Sequence, residues 1–405
     1  MNMHSDTPSA PHSPTANGLR EDLDAPAGPP QAGATPGSAA DLTRPPQRVQ
    51  LTYALGSDAA RGPVHHPLFA LLAALHDGGS VAASAQALGL SYRHVWGELK
   101  RWEAELGRSL IVWNKGQRAT LAPFGEKLLW AERRAQARLA PQIEALHMEL
   151  ERAFADAFDD RVDVLPICAS HDQALPLLRD LALEQQLHLD LEFTGSLEAL
   201  RALDGGRALL AGFHVLDGAA SGSASARAYR ARLKPGHHKL IGFAQRTQGL
   251  MVAPGNPKQI RSLHDLTRTG LRWVGRAEGT GTRILMDELL HQAGLPEPAG
   301  FALVEPSHAA AAQAVASGAA DAAFGLQAAA LAAGLDFLPL ARERYFLVTL
   351  KSALEQPAVQ RLVALLGSTA WSQTLSNLPG YQATEPGAVL SLTQALPWWN
   401  YRKAR

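Results

Sequence analysis

The sequence predicts a multidomain protein in which an α-helical winged helix-turn-helix precedes a larger α/β domain of two lobes. Two short helical segments separated by a Gly turn occupy residues 80–107, and a short strand pair follows them. A long helical stretch comes next, at residues 123–158. From Val162 onward, short apolar strands alternate with helical segments, which is typical of a parallel α/β architecture.

These patterns divide the chain into four parts. Residues 1–46 are rich in Pro, Gly, Ala, Ser and Thr, which predicts a disordered tail. We assign residues 47–122 to the winged helix-turn-helix, 123–158 to a linker and dimerisation helix, and 159–405 to the two-lobed domain. Apolar and polar residues alternate over Arg48–Leu55, which predicts one further strand in the first domain.

The composition is that of a soluble protein. The 405 residues include 38 Lys or Arg and 38 Asp or Glu, and no run of about 18 apolar residues could span a membrane. The single cysteine, Cys168, excludes an intramolecular disulfide framework. The N-terminus lacks the apolar stretch of a secretory signal, so we expect a cytoplasmic protein with no membrane partner.

Capping residues and apolar spacing predict the helices of the first domain. Pro67–His76 is the first helix, Ser80 caps the second, Gly89 ends it, and Ser91 caps the third. The third helix has a core stripe at helical spacing, formed by Val95, Leu99, Trp102 and Leu106. The residues at its N-terminal end lie mostly off that stripe, and a recognition helix presents this end to base edges.

Positive charge supports a DNA-binding role for this region. Residues 93–138 contain ten Lys or Arg against five Asp or Glu, although the whole chain is neutral. Strands Ser109–Trp113 and Ala119–Leu121 predict a wing whose basic turn meets phosphates. The alternative is a small helical domain with an ordinary charged surface. We predict that double-stranded DNA is bound by Ser91, Tyr92, Arg93, His94, Lys100, Lys115 and Arg118.

The connecting helix has a short heptad seam, formed by Ile143, Leu146, Leu150, Ala153 and Ala157. The seam predicts a homodimer or higher oligomer, although a seam of two heptads could instead pack on its own domain. Because Pro141 lies within this helix, we expect a kink or break near Leu139.

The two-lobed domain is predicted to alternate strands and helices. The strands are Val162–Ala169, Leu187–Thr194, Ala208–Phe213, Leu240–Arg246, Gly249–Ala253, Leu271–Val274, Phe301–Val304, Ala322–Gly325, Phe337–Leu340 and Phe346–Thr349. The helices are Gln173–Leu183, Leu197–Leu203, Thr282–Ala293, Ala309–Ala316 and one around Pro357–Thr374. The small residues of Gly218–Ser225 predict a flexible loop.

Short polar groups lie where these strands end and helices begin, at residues 170–172, 195–196, 279–283 and 307–308. Helix starts attract anions, and ligands of open α/β sheets bind beyond the carboxyl ends of strands. We therefore predict that a small anion is bound by Ser170, His171, Asp172, Ser196, His214, Thr280, Gly281, Thr282, Ser307 and His308, with Arg283 balancing its charge. For residues 279–283, a tight turn with a capping Thr is an equal alternative.

These polar residues do not resemble a catalytic site. Ser170, His171 and Asp172 are consecutive, so their side chains point in different directions and cannot form a nucleophile, a base and an orienting acid. Zinc-site spacing is missing from the histidines His214, His237, His238 and His308. We expect neither an enzyme nor a resident metal or cofactor.

Residues 85–107 read A-x-x-L-G-L-S-Y-x-x-V-W-x-x-L-K-x-x-E-x-x-L-G, which resembles the DNA-binding domain of LysR-type regulators. The S-Y-x-x-x-W element is most similar to the molybdate-responsive ModE branch, although the small β effector module of ModE does not appear. The resemblance implies that Tyr92, Arg93 and His94 read bases and that linker helices pair two subunits. Ala122 replaces the usual Thr and loses a capping hydroxyl, at a cost of about 1 kcal/mol.

A second resemblance covers residues 163–400. The segments A-S-H-D, G-S-L-x-A-L, W-V-x-R-x-x-G-T-G-T-R and E-P-S-H resemble the periplasmic-binding-protein-like domain associated with molybdate and tungstate in bacterial regulators. It implies a bilobal type II domain and a one-component transcriptional regulator whose operator affinity is modulated by molybdate or tungstate. The alternative ligands are a small organic carboxylate or a molybdenum-cofactor-related metabolite, and a transport receptor shares the same fold.

Overall fold

The computed structural model describes residues 66–113, 119–158, 163–268, 270–296 and 301–399. Spatial contacts group the chain into residues 1–52, which lie outside the described residues, and residues 53–405. The predicted tail, the predicted strand Arg48–Leu55 and the wing turn with Lys115 and Arg118 therefore lie outside the described residues as well.

The first domain has the predicted helical fold with a strand pair. Its elements are α1 Pro67–Gly78, α2 Val81–Leu88, α3 Tyr92–Leu106, β1 Ile111–Val112 and β2 Thr120–Leu121, and the two strands are antiparallel. Ser80 Oγ accepts from the Ala83 amide and Ser91 Oγ from the His94 amide, both at 3.1 Å. Fully buried leucines from α1, α3 and the following helix form the core, namely Leu72, Leu99 and Leu129.

Helix α4 spans Pro123–Phe158 without interruption, so the predicted break near Leu139 is wrong. Pro141 cannot donate a hydrogen bond to the carbonyl of Ala137, four residues earlier. That carbonyl instead accepts a hydrogen bond of 3.2 Å from Ser307 Oγ in the two-lobed domain. A contact from outside the helix therefore satisfies the group that the proline leaves free.

The second domain is built on a 10-stranded sheet whose main path runs β4-β3-β5-β10-β6-β9-β7-β8. The strands are β3 Asp163–Ala169, β4 Leu187–Phe193, β5 Leu210–Leu216, β6 His238–Val252, β7 Trp273–Gly275, β8 Leu303–Val304, β9 Ala322–Leu326, β10 Asp336–Leu350, β11 Tyr381–Gln382 and β12 Val389–Ser391. Parallel strands β3, β4 and β5 form the first lobe, and parallel strands β7, β8 and β9 form the second.

Two long antiparallel strands, β6 and β10, pass through both lobes. In the sequence each of them reads as two separate strands, and the structure corrects this because each runs unbroken for 15 residues. Strand β10 pairs with β5 through residues 343–349, whereas β6 pairs with β9 through residues 248–252. Irregular register between Pro339 and Ala341 and between Tyr345 and Phe346 flanks the region where the lobes meet. We call that region the lobe junction.

Helices cover the sheet on both lobes. They are α5 Ala174–Leu183, α6 Ser196–Asp204, α7 Ala224–Tyr229, α8 Gly281–Gln292, α9 His308–Ala316, α10 Gln327–Ala332, α11 Pro357–Leu366, α12 Thr369–Ser376 and α13 Leu392–Ala395. The predicted loop Gly218–Ser225 gives way to α7 at Ala224, and the predicted terminal helix is two helices. The second of these begins where Ser368 Oγ caps the Trp371 amide at 3.1 Å.

Candidate ligand-binding and DNA-binding sites

A buried ion cluster occupies the lobe junction. Arg246 of β6 forms ion pairs with Asp172 and Glu343, and the Nη2–Oε1 distance to Glu343 is 2.5 Å. The exposed fraction of all three residues is 1% or less. Burial alone would raise the pKa of Glu343, but Arg246 and His214 outweigh it and hold the pKa at about 2. Arg246 is therefore neutralised by two carboxylates of the protein itself.

Further side chains fix this cluster in place. The Tyr381 hydroxyl donates to Asp172 Oδ2 at 2.6 Å, and Gln248 Nε2 donates to Glu343 Oε1 at 2.9 Å. His214 Nδ1 contacts the second oxygen of Glu343. Every carboxylate at the centre of the junction thus has partners from more than one strand or helix.

The two lobes touch through glycine positions at helix starts. A Cβ atom at Gly281, the first residue of α8, would collide with Nε2 of His214 in the first lobe. A Cβ atom at Gly195, just before α6, would lie 3.2 Å from the carbonyl oxygen of Gly279. The glycine at 281 is required for its close approach and the glycine at 195 eases a tight one, so the starts of α6 and α8 come close together at the junction.

Arg276, directly after β7, is the junction cation that lacks sufficient partners. Its exposed fraction is 8%, and Nη2 donates to the Pro306 carbonyl at 2.8 Å. Nε and Nη1 have no hydrogen-bond partner among the described residues. Burial lowers the pKa of Arg276 to about 10, with partial compensation from Glu305. Since a buried, under-bonded charge is expensive, this guanidinium favours an anionic ligand.

His308 lies beside this guanidinium with an unsatisfied ring nitrogen. Its Nε2 is 3.3 Å from Thr282 Oγ1, whereas Nδ1 has no partner among the described residues. Burial, together with the charges of Arg276 and Arg246, lowers the pKa of His308 well below its usual value. The imidazole is therefore neutral at neutral pH. The Ser196 hydroxyl at the start of α6 is also buried, and the equally buried Tyr229 hydroxyl lies near it.

Most of the sequence-predicted ligand residues meet at the junction, but several have other partners. Asp172 pairs with Arg246 and caps the Ala174 amide at 2.7 Å, so it positions a cation and does not face an anion. Thr280 Oγ1 caps the Arg283 amide at 3.4 Å, which is the alternative considered for this turn. The Ser170 hydroxyl donates to Tyr345 Oη at 3.3 Å.

Arg283 does not have the geometry predicted for a residue that balances ligand charge. Its Nε donates to Asp287 Oδ1 at 2.8 Å on its own helix, and its guanidinium lies 4.9 Å from the Phe301 ring centroid. The unsatisfied guanidinium of Arg276 is better suited to that role. An ion pair within the same helix was available to Arg283 because Asp287 lies four residues along.

His171 and Ser307 are directed toward helix α4. His171 Nε2 lies 3.6 Å from Glu144 Oε2, and Ser307 caps the Ala310 amide while donating to the Ala137 carbonyl. Beside Ser307, Glu305 is 1% exposed and binds Arg138 through two hydrogen bonds of 2.6 and 2.8 Å. Met148 of the same helix is buried in the first lobe. Helix α4 therefore contacts both lobes.

Sequence reasoning missed Arg276, directly after β7, and four residues in the middle of strands, namely Arg246, Gln248, Glu343 and Tyr345. It considered the ends of strands, where ligands of α/β proteins usually bind. A signal was present, because Arg246 and Glu343 lie in short polar stretches between apolar runs of β6 and β10.

The predicted DNA-reading residues lie at the exposed start of α3. Tyr92 is 55% exposed, and Arg93 and His94 are also exposed. Ser91 caps the helix, and Lys100 Nζ pairs with Glu103 at 2.7 Å while lying 5.1 Å from the Trp96 ring centroid. Ser91 and Lys100 thus have structural partners, whereas Arg93 and His94 are presented to solvent.

Two other kinds of site are absent from the described residues. No group of three or more His, Cys, Asp or Glu side chains in the described ranges could hold a metal ion. No described helix is long and apolar enough to cross a membrane.

Two family models match the chain. Residues 68–126 match bacterial regulatory helix-turn-helix proteins of the lysR family, and residues 179–367 match the PBP superfamily domain. An uncharacterised protein of Bacillus subtilis, YvgK, is 34% identical over 201 residues, which are 49% of this chain and 64% of YvgK. The chain thus spans less than two thirds of that relative. An uncharacterised protein of Clostridium pasteurianum, from the 5′ region of a 2Fe-2S ferredoxin gene, is 33% identical over 111 residues, 27% of this chain and 98% of that protein.

Solved structures of LysR-type regulators are also similar. CbnR, a LysR family transcriptional regulator, is 19% identical with a TM-score of 0.37, over 74% of this chain and 98% of CbnR. A mutant of OxyR from Corynebacterium glutamicum is 16% identical with a TM-score of 0.41, over 76% of this chain and 92% of OxyR.

Proposed function

We propose that this chain, which belongs to the LysR-type regulators by its helix-turn-helix and its PBP superfamily domain, is a DNA-binding transcriptional regulator controlled by a small anion. The anion binds at the lobe junction and changes the affinity of the first domain for operator DNA. The observation that supports an anion most directly is Arg276, buried with two guanidinium nitrogens unsatisfied among the described residues. We place the regulator in the cytoplasm, where its operator lies.

Molybdate or tungstate is the ligand we propose. The candidate donors are the Arg276 guanidinium, His308 Nδ1, the Ser196 hydroxyl and the amides at the start of α8. A buried guanidinium that the carboxylates of the protein do not fully neutralise, with neutral donors beside it, suits a compact oxyanion, because charge-assisted hydrogen bonds are the strong ones. A small organic carboxylate or a molybdenum-cofactor-related metabolite is the alternative.

Calorimetry on the full chain tests the ligand class. Molybdate, tungstate, sulfate, a small dicarboxylate and a pterin would each be titrated into the purified protein. We expect heat from molybdate and tungstate and a weaker response from sulfate, whose smaller size leaves its hydrogen bonds long. Heat only from the carboxylate or the pterin would replace the oxyanion by the alternative ligand. A DNA selection with and without the bound anion then tests the regulatory output.

Helix α4 provides the route from the junction to the DNA-binding domain. Glu305 and Ser307, which bind α4, come directly before His308, whose ring lies at the junction. The buried Glu305 carboxylate is shared electrostatically between Arg276 at the junction and Arg138 on α4. An anion bound to Arg276 therefore weakens the electrostatic attraction between Arg276 and Glu305. Glu305 also forms the ion pair with Arg138 that orients α4.

We expect Arg138→Met to uncouple anion binding from operator binding. Allosteric coupling is typically about 5- to 150-fold in affinity, and the variant should lose most of it while the anion still binds. The measurement is operator affinity at increasing anion concentration, by fluorescence anisotropy. Arg134→Met, on the same helix, is the matched control. Full coupling in the Arg138 variant would contradict this route.

A homodimer through α4 is part of the proposal. Leu139 and Leu146 are 37% and 45% exposed, and Ile143 and Trp130 line an adjacent groove of about 840 Å³ between α4 and the second lobe. We expect Leu146→Asp to give a monomer by light scattering, because pairing would bury a carboxylate without a partner. Leu183→Asp, at a leucine that is 42% exposed on α5, is the control. An unchanged mass for Leu146→Asp would argue against pairing through this seam.

A further inference from the structure

Three aromatic rings form a continuous strip on the first domain. The Tyr92 and Trp96 rings stack with centroids 6.5 Å apart at 6°, and the Trp96 and Trp113 rings meet at 5.9 Å and 75°. Tyr92 is 55% exposed and Trp113 is 60% exposed. The strip therefore joins the start of the recognition helix α3 to the residue after β1, where the wing begins.

The core of the domain does not account for this exposure. Its buried members are mostly leucines, and Trp96 packs against them from the edge. Tyr92 and Trp113 extend from Trp96 into solvent, and Leu90 and Val112, their near neighbours in the chain, are 41% and 42% exposed. Contiguous apolar surface of this kind on a soluble domain usually marks an interaction site.

Cationic side chains adjoin the strip. Lys100 Nζ lies 5.1 Å from the Trp96 ring centroid, and the exposed Arg93 and His94 follow Tyr92 in the first turn of α3. A protein partner is a poorer fit for this mixture than DNA, whose phosphates match the cations. The apolar feature that the major groove displays is the C5-methyl group of thymine.

We propose that Tyr92, Trp96 and Trp113 form an apolar surface that reads thymine methyl groups in the operator. Trp96 holds the two exposed rings in a fixed relation, so that Tyr92 and Trp113 contact neighbouring thymines along one groove. Sequence preference then depends on this strip as well as on hydrogen bonds from Arg93 and His94. The inference rests on the proposed DNA-binding function and identifies a part of the interface beyond the recognition helix.

The experiment uses a duplex that the wild-type chain selects from a random pool. Trp113→Ala should weaken binding about 5- to 100-fold, the loss expected when one good base contact is removed. Single thymine-to-uracil changes, which remove only the methyl group, should weaken wild-type binding at one or two positions. At the position that Trp113 contacts, the same change should have no further effect on the Trp113→Ala protein, whereas a position that Tyr92 contacts should keep its effect. Trp113→Tyr should retain part of the affinity, and Leu183→Ala is the exposed apolar control.

The outcomes separate this inference from the proposed function. If the wild type selects a duplex but the Trp113→Ala protein binds it equally well, the strip is not a DNA contact and the regulator assignment stands. An altered oligomeric mass at unchanged DNA affinity would assign the strip to protein contacts and overturn the inference. If the wild type selects no duplex, both proposals fail. A thermal melt of each variant confirms that the fold is retained.

Discussion

Replacing Arg246 with methionine is expected to lower the free energy of unfolding by about 3–5 kcal/mol, because it removes the cation from a fully buried cluster. Asp172 and Glu343 would then remain in the core with their negative charges uncompensated. Tyr381 and Gln248 would still donate hydrogen bonds to them, but neutral donors replace only part of the lost attraction. Urea denaturation of the full chain measures the loss.

The matched control for this prediction is Arg344→Met. Arg344 neighbours Glu343 on β10 and pairs with Glu385 at 2.9 Å, but the Glu385 side chain is 57% exposed. An ion pair at the surface contributes about 0–1 kcal/mol, so this variant should unfold almost as the wild type does. Equal losses in the two variants would show that burial of the Arg246 cluster has no special energetic role.

The pH dependence provides a second readout on Glu343. Its pKa is about 2 in the folded protein against 4.5 normally, because Arg246 and His214 outweigh the effect of burial. A depressed pKa stabilises the fold above pH 4.5, and this stabilisation is lost as the pH falls toward 2. Without Arg246, burial should raise the pKa of Glu343. The difference in stability between wild type and Arg246→Met should therefore shrink as the pH falls from the raised pKa of Glu343 in the variant toward 2.

Local patterns were enough to predict the fold class and the order of the two domains. The comparisons confirm the two-domain class. Capping serines and left-handed glycines mark the ends of α2 and α3 in the sequence as they do in the structure. The two long strands could not be predicted from local patterns, because polar stretches that include Arg246 and Glu343, at residues 245–248 and 342–344, separate the apolar runs. Those charges are tolerated in the core only because they pair with each other across β6 and β10. Pairing across strands depends on register, which a single strand does not specify.

The predicted break at Pro141 fails for a related reason. A proline inside a helix usually interrupts it because one carbonyl loses its donor. Here Ser307, which is 170 positions from Ala137 in the chain, supplies the donor to the Ala137 carbonyl. The helical periodicity of a sequence cannot predict a long-range contact of this kind. The assignment of ligand charge balance to Arg283 has a different reason, because its partner Asp287 lies four residues along the same helix and was a local signal in the sequence.

Replacing Arg276 with methionine should lower the affinity for tungstate or molybdate by about 10- to 100-fold if one hydrogen bond is lost, and by about 100-fold or more if two are lost. The estimate assumes one or two charge-assisted hydrogen bonds of about 1.5–3 kcal/mol each, with a tenfold change for every 1.4 kcal/mol. The same variant should be as stable as the wild type without ligand, or more stable. Burial lowers the pKa of Arg276 to about 10, so its charge is held in the core at a cost, and Glu305 keeps Arg138 as a partner after the change.

Arg283→Met separates this site from the one predicted at the start of α8. Its guanidinium is engaged with Asp287 and lies over Phe301, so its loss should reduce anion affinity far less than the loss of Arg276. Calorimetry with tungstate gives the affinities, and thermal melts without ligand give the stabilities. A larger loss of affinity in the Arg283 variant would show that the anion binds at the start of α8, as the sequence predicted. A strongly destabilised Arg276 variant would show that this guanidinium stabilises the fold and is not a ligand-binding group.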